Sequence, residues 1–221
     1  IALLAVGAGL SLCDAIIAGE ASCGFANIRP PGHHAERNYA SGFCIFNNIA
    51  ITAKYLQQKH GIERIGIVDW DVHHGNGTQH AFEQDNSVFF ISLHQFPHFP
   101  GSGSAMEKGR GDGAGYTMNL PFSPGSGDRD YIRQFQSKIL PALGRFQPQV
   151  ILISAGYDGH RADPLSGIRL SSDIYYRFAS MITDAAKKTA RGRVIAFLEG
   201  GYNLAALRES AVKTIEAFID S

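Results

Sequence analysis

Two adjacent histidines, His33 and His34, follow a Pro-Pro-Gly turn in the stretch RPPGHHAERNYASGF, residues 29 to 43. Imidazole side chains change protonation near neutral pH, so one ring of such a pair could move a proton while its neighbour tunes the local field. Taken alone, a His-His pair is more often a surface loop or a satisfied core pair. Its chemistry therefore depends on which other polar residues the fold brings to it.

A second reactive stretch is DWDVHHGNG, in which Asp69, Asp71 and His73 are spaced by two. While the backbone stays extended, side chains at this spacing project to one side. One Asp-x-His alone would favour a helix cap with a nearby hydrogen bond. Asp158, in the turn AGYDGH, adds a carboxylate, so Asp71, His73 and Asp158 predict a catalytic metal site with one position open to water. Nitrogen and oxygen ligands without thiolate suit Zn²⁺, with Fe²⁺ or another divalent ion as the alternative.

The remaining groups needed for catalysis are also present. Asp69 and Asn76 are placed to orient the ring nitrogens of the histidine pair. Tyr202 follows Gly200 and Gly201, and its phenol could donate a hydrogen bond to a developing oxyanion. From this motif alone, packing of Tyr202 at a helix start is an equally good interpretation.

The elements that must position these residues alternate along the chain. Periodicity and caps predict helices near residues 2–18, 44–60, 76–84, 128–146, 171–190 and 204–219. Between them lie the short apolar runs RIGIVDW, SVFFISL, QVILISA and RVIAFLE, with CGFANI as a weaker strand candidate. Continuous apolar runs are typical of parallel strands buried on both faces. The sequence thus predicts an α/β fold with an open, mainly parallel sheet, helices on both faces and ligands at the carboxyl ends of the strands.

Length and composition limit the classes of function. The chain has 221 residues, of which 44% are hydrophobic. We therefore expect a single domain that spans residues 1–221. Twenty basic residues balance twenty acidic ones, so neither nucleic-acid binding nor polybasic membrane contact is predicted. The opening IALLAVGAGLSLCDAIIAG lacks a basic leader and contains Asp14, which favours a buried core helix over a signal peptide or membrane span.

The three cysteines show neither a disulfide framework nor a zinc-knuckle spacing. We therefore expect a reducing compartment and a cytoplasmic location, with a nuclear one left open. The first residue is not a methionine, and no capping residue precedes the first helix. We expect a domain that is incomplete at its N-terminus. The oligomeric state is not indicated.

The ordered blocks RPPGHHA, SGFCIFNN, DWDVHHGNGTQ, SLHQFPHFPGSG, SAGYDGHRADPL and LEGGYN together resemble the zinc-dependent histone deacetylase family. The motifs HHGNG, DPL and LEGGYN resemble those of class II members and of bacterial deacetylase-like amidohydrolases. The similarity runs from about the first helix to the end of the chain. It implies a three-layer α/β/α fold like that of arginases and deacetylases, and hydrolysis of acetyl-lysine.

The resemblance also implies residue roles. Asp71, His73 and Asp158 match the zinc ligands, His34 the general base and acid, and His33 the partner histidine held by Asp69. Tyr202 matches the tyrosine that polarises the acetyl carbonyl. The walls of the acetyl-lysine tunnel match Phe43 and Phe99, with Gly42 beside them and Leu165 at the rim. Without the resemblance, these aromatic residues would be ordinary core or loop side chains.

Potassium is implied by the resemblance alone. The inner K⁺ site matches Asp69, Asp71, His73, Ser92 and Leu93. The outer K⁺ site matches Phe82, Asp85, Val88 and Tyr116.

Three positions refine the expected activity. Asn76 stands where class I members have Asp, so we expect the pKa of His34 to be less elevated. Leu165 is apolar, so the rim lacks the acidic residue expected for a cationic acetylpolyamine. Tyr202 is retained, unlike in class IIa members, which favours catalysis.

The leading hypothesis is a metal-dependent amidohydrolase that releases acetate from acetylated lysine side chains of a protein. One alternative keeps the chemistry and changes the substrate to an acetylpolyamine or another small acetyl amide. Another makes the chain a non-catalytic binder of acetylated ligands, which the intact reactive set disfavours. A binuclear manganese hydrolase of the arginase type is less favoured, because the extra carboxylates for a second ion are not evident around Asp71.

Overall fold

The computed structural model describes all 221 residues. The chain folds into seven α-helices and six β-strands. Their bounds are α1 Ala2–Ala18, β1 Cys23–Ala26, α2 Asn48–His60, β2 Ile65–Asp69, α3 Asn76–Phe82, β3 Val88–Gln95, β4 Thr117–Phe122, α4 Asp128–Gln134, α5 Leu140–Phe146, β5 Val150–Ala155, α6 Ser172–Thr189, β6 Val194–Leu198 and α7 Leu204–Ile219. None of the helices has the length and apolar character required to span a membrane.

All six strands form one parallel sheet in the order β1-β6-β5-β2-β3-β4. Starting from β2 the chain winds outward through β3 to β4, returns to place β5 on the other side of β2, and continues to β6. The winding direction therefore reverses between the neighbouring strands β2 and β5. In open α/β sheets, the carboxyl ends of strands at such a reversal form a crevice for ligands.

The sheet is buried on both faces, as the apolar runs predicted. On β6, Ile195 and Phe197 pack with α1, α2 and α3, whereas Val194, Ala196 and Leu198 pack with α4 to α7. Two apolar clusters of this kind, one on each face, make the three-layer α/β/α arrangement. The predicted fold class is confirmed.

Several element boundaries differ from the prediction. Helix α2 begins only at Asn48, because Asn47 caps it by accepting a hydrogen bond from the Ala50 N–H, and the predicted start at residue 44 was too early. Between α4 and α5 the helix widens into a π-helical segment, Phe135–Ile139. Strand β4 was not predicted at all.

The first helix has one buried face rather than being a fully buried core helix. Its buried positions include Ala5, Gly9, Cys13 and Ile16, which follow the helical period. Leu3 and Leu4, on the other side, are exposed. The buried face packs on α2 and on β6, so α1 supports the sheet from the side that also carries α2.

Candidate active site

The candidate metal ligands lie where the sheet reverses its winding direction. Asp71 follows β2 by two residues, and Asp158 follows β5 by three. Both carboxylates are buried. Strand β2 ends at Asp69, so the backbone is no longer extended over the Asp69–His73 stretch and Asp69 does not join the cluster.

Asp71, His73 and Asp158 form a tight, buried group. One potential ligand atom from each lies within 4.8 Å of the others. His73 Nδ1 is 3.0 Å from Asp71 Oδ1 and 3.1 Å from Asp158 Oδ2. Backbone N–H groups of Gly200 and Val72 donate to Asp71 Oδ2 and Asp158 Oδ1, at 2.8 and 2.9 Å, and hold both carboxylates in place.

The charges of this group suit a divalent cation. Burial and the neighbouring Asp71 raise the pKa of Asp158 to about 6. Burial alone would raise the pKa of Asp71 too, but His33 and the hydrogen-bonded His73 hold it below its usual value. The two carboxylates overcome the effect of burial on His73 and raise its pKa to about 10. Two carboxylates and one imidazole nitrogen thus meet at one buried point, a set of oxygen and nitrogen donors that fits a divalent metal ion.

Gly200 leaves the space that these carboxylates need. A Cβ atom at this position would lie 2.0 Å from Asp158 Oδ2 and 2.6 Å from Asp71 Oδ2. Any side chain there would displace the carboxylates. Only glycine at position 200 of EGGYN therefore lets both carboxylates lie this close to the backbone.

The two histidines lie beside this group and have different partners. His33 Nδ1 is 3.0 Å from Asp69 Oδ2, and His34 Nδ1 is 2.7 Å from Asn76 Oδ1. Their ring centroids are 4.0 Å apart. Sequence reasoning named both partners, and the structure places each at hydrogen-bond distance.

Their electrostatic surroundings also differ. Burial lowers the pKa of His33, but Asp69, Asp71 and Glu199 outweigh it and hold that pKa well above the usual value. Burial and the charge on His33 lower the pKa of His34 to about 3. These opposite shifts favour the charged form of His33 and the neutral form of His34, and a neutral imidazole keeps a lone pair that can accept a proton.

Glu199 is a central residue that sequence reasoning did not single out. Its carboxylate is fully buried; Oε2 accepts the N–H groups of Gly32 and His33 at 2.7 and 3.1 Å, and Oε1 accepts the Ser154 hydroxyl at 3.0 Å. Burial raises its pKa to about 7. The signal was an acidic residue directly after the apolar strand RVIAFL, where an unpaired carboxylate would be costly.

Tyr202 enters the site from the loop after β6. Its backbone N–H donates to Asp163 Oδ2 at 2.7 Å, and Asp163 Oδ1 accepts the N–H of Leu165 at 3.0 Å. Asp163, which the sequence did not indicate, thus ties this loop to the one after β5. Burial and the negative Asp71 and Asp158 raise the pKa of Tyr202, so the phenol stays protonated and can donate a hydrogen bond.

Comparison with known proteins shows the family of the chain. The histone deacetylase domain family matches residues 1–218. The chain belongs to the histone deacetylase family. It is 46% identical to the chloroplastic histone deacetylase 10 of Oryza sativa over 98% of the chain and 50% of that protein. Identity to the human polyamine deacetylase HDAC10 is 43%, over 99% of the chain and 33% of that protein.

A bacterial relative and a solved structure support the same family membership. The histone deacetylase-like amidohydrolase of Pseudomonas aeruginosa is 42% identical over 98% of the chain and 57% of that protein. The crystal structure of the HDA15 HD domain superposes with a TM-score of 0.94 at 43% identity, covering all of this chain and 62% of that one. The chain spans about half the length of the curated deacetylases from rice and Arabidopsis thaliana that it matches.

The residues expected to form the tunnel of a histone deacetylase lie at the mouth of the site. Phe99 is 5.1 Å from the His34 ring and 6.1 Å from the His73 ring, between centroids. Phe43 is 6.1 Å from the Tyr202 ring. Phe43, Phe99 and Leu165 are 74%, 49% and 44% exposed.

Gly42 and His98 complete the mouth. Gly42 has φ +51°, and a Cβ atom there would lie 2.2 Å from His34 Cδ2. The His98 ring stacks on the His73 ring with centroids 5.0 Å apart, and its Nε2 lies 3.0 Å from the Leu165 carbonyl oxygen. It therefore packs directly against a candidate metal ligand.

The residues expected around potassium fall into two groups near β3. In the inner group, Asp69 and Ser92 are paired in register across β2 and β3. The outer group lies around the other end of β3, where the Asp85 carboxylate binds Lys54 Nζ at 2.6 Å. The other expected residues of the two groups are Asp71, His73, Leu93, Phe82, Val88 and Tyr116.

Proposed function

We propose that this chain hydrolyses the acetyl amide of acetyl-lysine side chains and releases acetate. The observation that carries the proposal is the convergence at one rim of the sheet: Asp71, His73 and Asp158 frame a buried point, beside the neutral His34 and the protonated Tyr202. Membership of the histone deacetylase family supports the reaction class. Substrate and metal are parts of the proposal.

The candidate metal is Zn²⁺, with Fe²⁺ as the alternative. Asp71, His73 and Asp158 would hold it, and the bound ion would supply Lewis-acid polarisation of the amide carbonyl and of the attacking water. Carboxylate and imidazole ligands with one open position are typical of catalytic zinc sites.

The side chains of the protein would carry the proton and the developing charge. His34 Nε2 would take a proton from the attacking water and later give it to the leaving lysine amine. The Tyr202 hydroxyl would donate to the carbonyl oxygen as negative charge builds on it. His33, held charged by Asp69 and Glu199, would add positive charge beside His34.

The mouth supports an acyl-lysine substrate. Phe43 and Phe99 are apolar and would contact the aliphatic stem of the lysine. Leu165 offers no carboxylate to a second cation. A small acetyl amide remains the second candidate, because a 43% identical relative is named a polyamine deacetylase.

We also propose that residues 1–221 form one catalytic domain and that the two residue groups near β3 bind K⁺. Cys13, Cys23 and Cys44 are free, which suits a reducing compartment such as the cytoplasm. Two relatives are named as chloroplastic proteins, so a plastid is the alternative location.

The test is hydrolysis of an acetyl-lysine peptide and of an acetylpolyamine by the purified chain. Activity should disappear with a chelator and return on adding Zn²⁺, and the peptide should be the better substrate. Anaerobic Fe²⁺ addition and exchange of K⁺ for Na⁺ test the two ions.

Asp158→Asn is the matched variant for metal dependence. It keeps the shape of the side chain and removes one anionic ligand, so zinc affinity should fall by at least ~100-fold. The chain should still unfold in one cooperative transition. A folded, zinc-loaded wild-type chain that hydrolyses neither amide would overturn the proposed reaction.

A further inference from the structure

A second carboxylate lies behind the residue that contacts His34. Asn76 Oδ1 is 2.7 Å from His34 Nδ1, and Asn76 Nδ2 donates to Glu36 Oε1 at 2.7 Å. The same Glu36 oxygen lies 2.7 Å from His80 Nδ1, on α3. His34, Asn76 and Glu36 therefore form a continuous chain of hydrogen bonds that ends at a partly exposed histidine.

The chemistry of these groups allows only one arrangement of hydrogens. An ionised carboxylate accepts hydrogen bonds and cannot donate them. Glu36 therefore requires the NH₂ end of Asn76 to face it, which leaves Oδ1 facing His34. Because a carbonyl oxygen only accepts, His34 Nδ1 must carry the hydrogen, and the lone pair lies on Nε2.

The backbone keeps the three residues in register. The Thr78 N–H donates to the His33 carbonyl at 3.2 Å, which ties the start of α3 to the histidine loop. Gly77 packs so closely there that a Cβ atom would lie 2.2 Å from the Ala35 carbonyl oxygen. Glu36 is well shielded, with 9% of its side chain exposed.

We infer that Glu36 is a positioning residue that fixes the orientation of the Asn76 amide and thereby the tautomer of His34. This inference rests on the proposed function, in which His34 Nε2 accepts the proton of the attacking water. Asn76 by itself could face His34 with either end, since its oxygen and nitrogen ends have nearly the same shape. Glu36 makes the Asn76 oxygen face His34, so His34 meets only an acceptor, as it would if a carboxylate contacted it directly.

The contrast with His33 shows why the arrangement is needed. Asp69 contacts His33 directly and only accepts, so it fixes that ring without help. His34 has an amide as its partner, and its orientation must be imposed from the next residue. The charge then stays farther from His34, which is consistent with a neutral ring there.

The test is a cycle of variants built on the zinc-loaded chain. Glu36→Met removes the acceptor at similar size and should lower kcat about 10- to 100-fold, with KM changed less than about 2-fold. Glu36→Gln keeps an acceptor oxygen but can also turn its NH₂ end to Asn76, so its kcat should lie between those of Glu36→Met and the wild type. Glu83→Met, which removes a surface carboxylate paired with Arg110 just after α3, is the matched control and should leave kcat unchanged.

The decisive variant is Asn76→Asp, because it should lower kcat in the otherwise wild-type chain and raise kcat in the Glu36→Met chain. In the wild-type background it places two carboxylates in contact at the Glu36 position and should lower kcat. Combined with Glu36→Met, it gives His34 an acceptor-only partner and should restore kcat. A loss in Glu36→Met that Asn76→Asp does not repair would show a merely structural role and overturn the inference.

A spectroscopic readout separates this inference from the proposed reaction. In the metal-free chain with ¹⁵N-labelled histidine, the shifts of the two His34 ring nitrogens report which one carries the hydrogen. We expect Nδ1–H in the wild type, a mixture in Glu36→Met, and Nδ1–H again in the double variant. The same tautomer in wild type and Glu36→Met would overturn the inference even if the amide is hydrolysed; an inactive wild type with the expected tautomer change would overturn only the proposed reaction.

Discussion

The floor and the mouth of the candidate site are held in different ways. On the floor, Asp71, Asp158 and Glu199 are buried and each accepts backbone N–H groups. At the mouth, Phe43 and Phe99 are exposed and contact the floor mainly through their rings. The sheet therefore fixes the proposed reacting groups, while the loops above it carry the exposed rings that we propose as substrate contacts.

This difference separates the reaction from the choice of substrate. Floor groups have their positions set by hydrogen bonds, so a change there should affect kcat. Mouth groups make fewer fixed contacts, so a change there should affect which amide is preferred. Substitutions on the floor, where the floor meets the mouth, and at the mouth test whether kcat and substrate preference change separately.

The largest effect is expected on the floor, from Tyr202→Phe. This substitution removes one hydroxyl that should donate only as charge develops on the carbonyl oxygen, so kcat should fall by about 10²- to 10³-fold with KM nearly unchanged. Steady-state kinetics on an acetyl-lysine peptide measure it. Tyr176→Phe, on α6, removes an exposed phenol bonded to Asp220 and should have no effect. Equal kcat in both variants would remove Tyr202 from the mechanism.

An intermediate effect is expected where mouth and floor meet, from Gly42→Ala. The new Cβ atom would collide with the His34 ring, and a displacement of about 1 Å should lower kcat by about 10- to 100-fold. Gly61→Ala is the control, because Gly61 has φ +65° with open space around it.

Both glycine variants should lose roughly 1–2 kcal/mol of unfolding free energy from the left-handed backbone conformation, and Gly42→Ala should lose more because of the collision. Urea unfolding and kinetics measured side by side separate strain from displacement. If Gly61→Ala loses as much activity as Gly42→Ala, contact with His34 is not the cause.

The smallest effect is expected at the mouth, from Leu165→Glu. An exposed carboxylate there should improve kcat/KM for a cationic acetylpolyamine by about 2- to 5-fold, since exposed ion pairs stabilise by 1 kcal/mol or less. Leu165→Gln matches its size without charge and should show no such gain. A large loss of kcat on the acetyl-lysine peptide in both variants would contradict the separation of mouth from floor.

Much of the fold followed from simple patterns. The strands buried on both faces are nearly continuous apolar runs, and reactive residues follow three of them. Strand β4 lacks that pattern because it is an edge strand, which tolerates the exposed Pro121 and pairs only with β3. The premature start assigned to α2 arose because residues 44–46 are apolar, whereas Cys44 pairs with Ser41 in a bridge and Asn47 caps the helix.

The candidate site was less fully predictable than the fold. Asp71, His73 and Asp158 could be grouped because their residue types suit one metal ion, whereas Glu199, Asp163 and Glu36 could not be assigned. The role of a buried carboxylate depends on which N–H groups it meets. For Glu199 those belong to residues 166 and 167 positions away, so only the folded chain reveals them.

The long span of these hydrogen bonds has a consequence for how the protein reaches its active form. Val72 with Asp158, Gly200 with Asp71 and Gly32 with Glu199 join residues that are 86, 129 and 167 positions apart. Closing such large loops costs conformational entropy that no local helix or turn offsets, so these contacts form only when the central strands assemble. Recovery of the proposed activity after denaturation should therefore report assembly of these central strands, because the candidate site forms only with them.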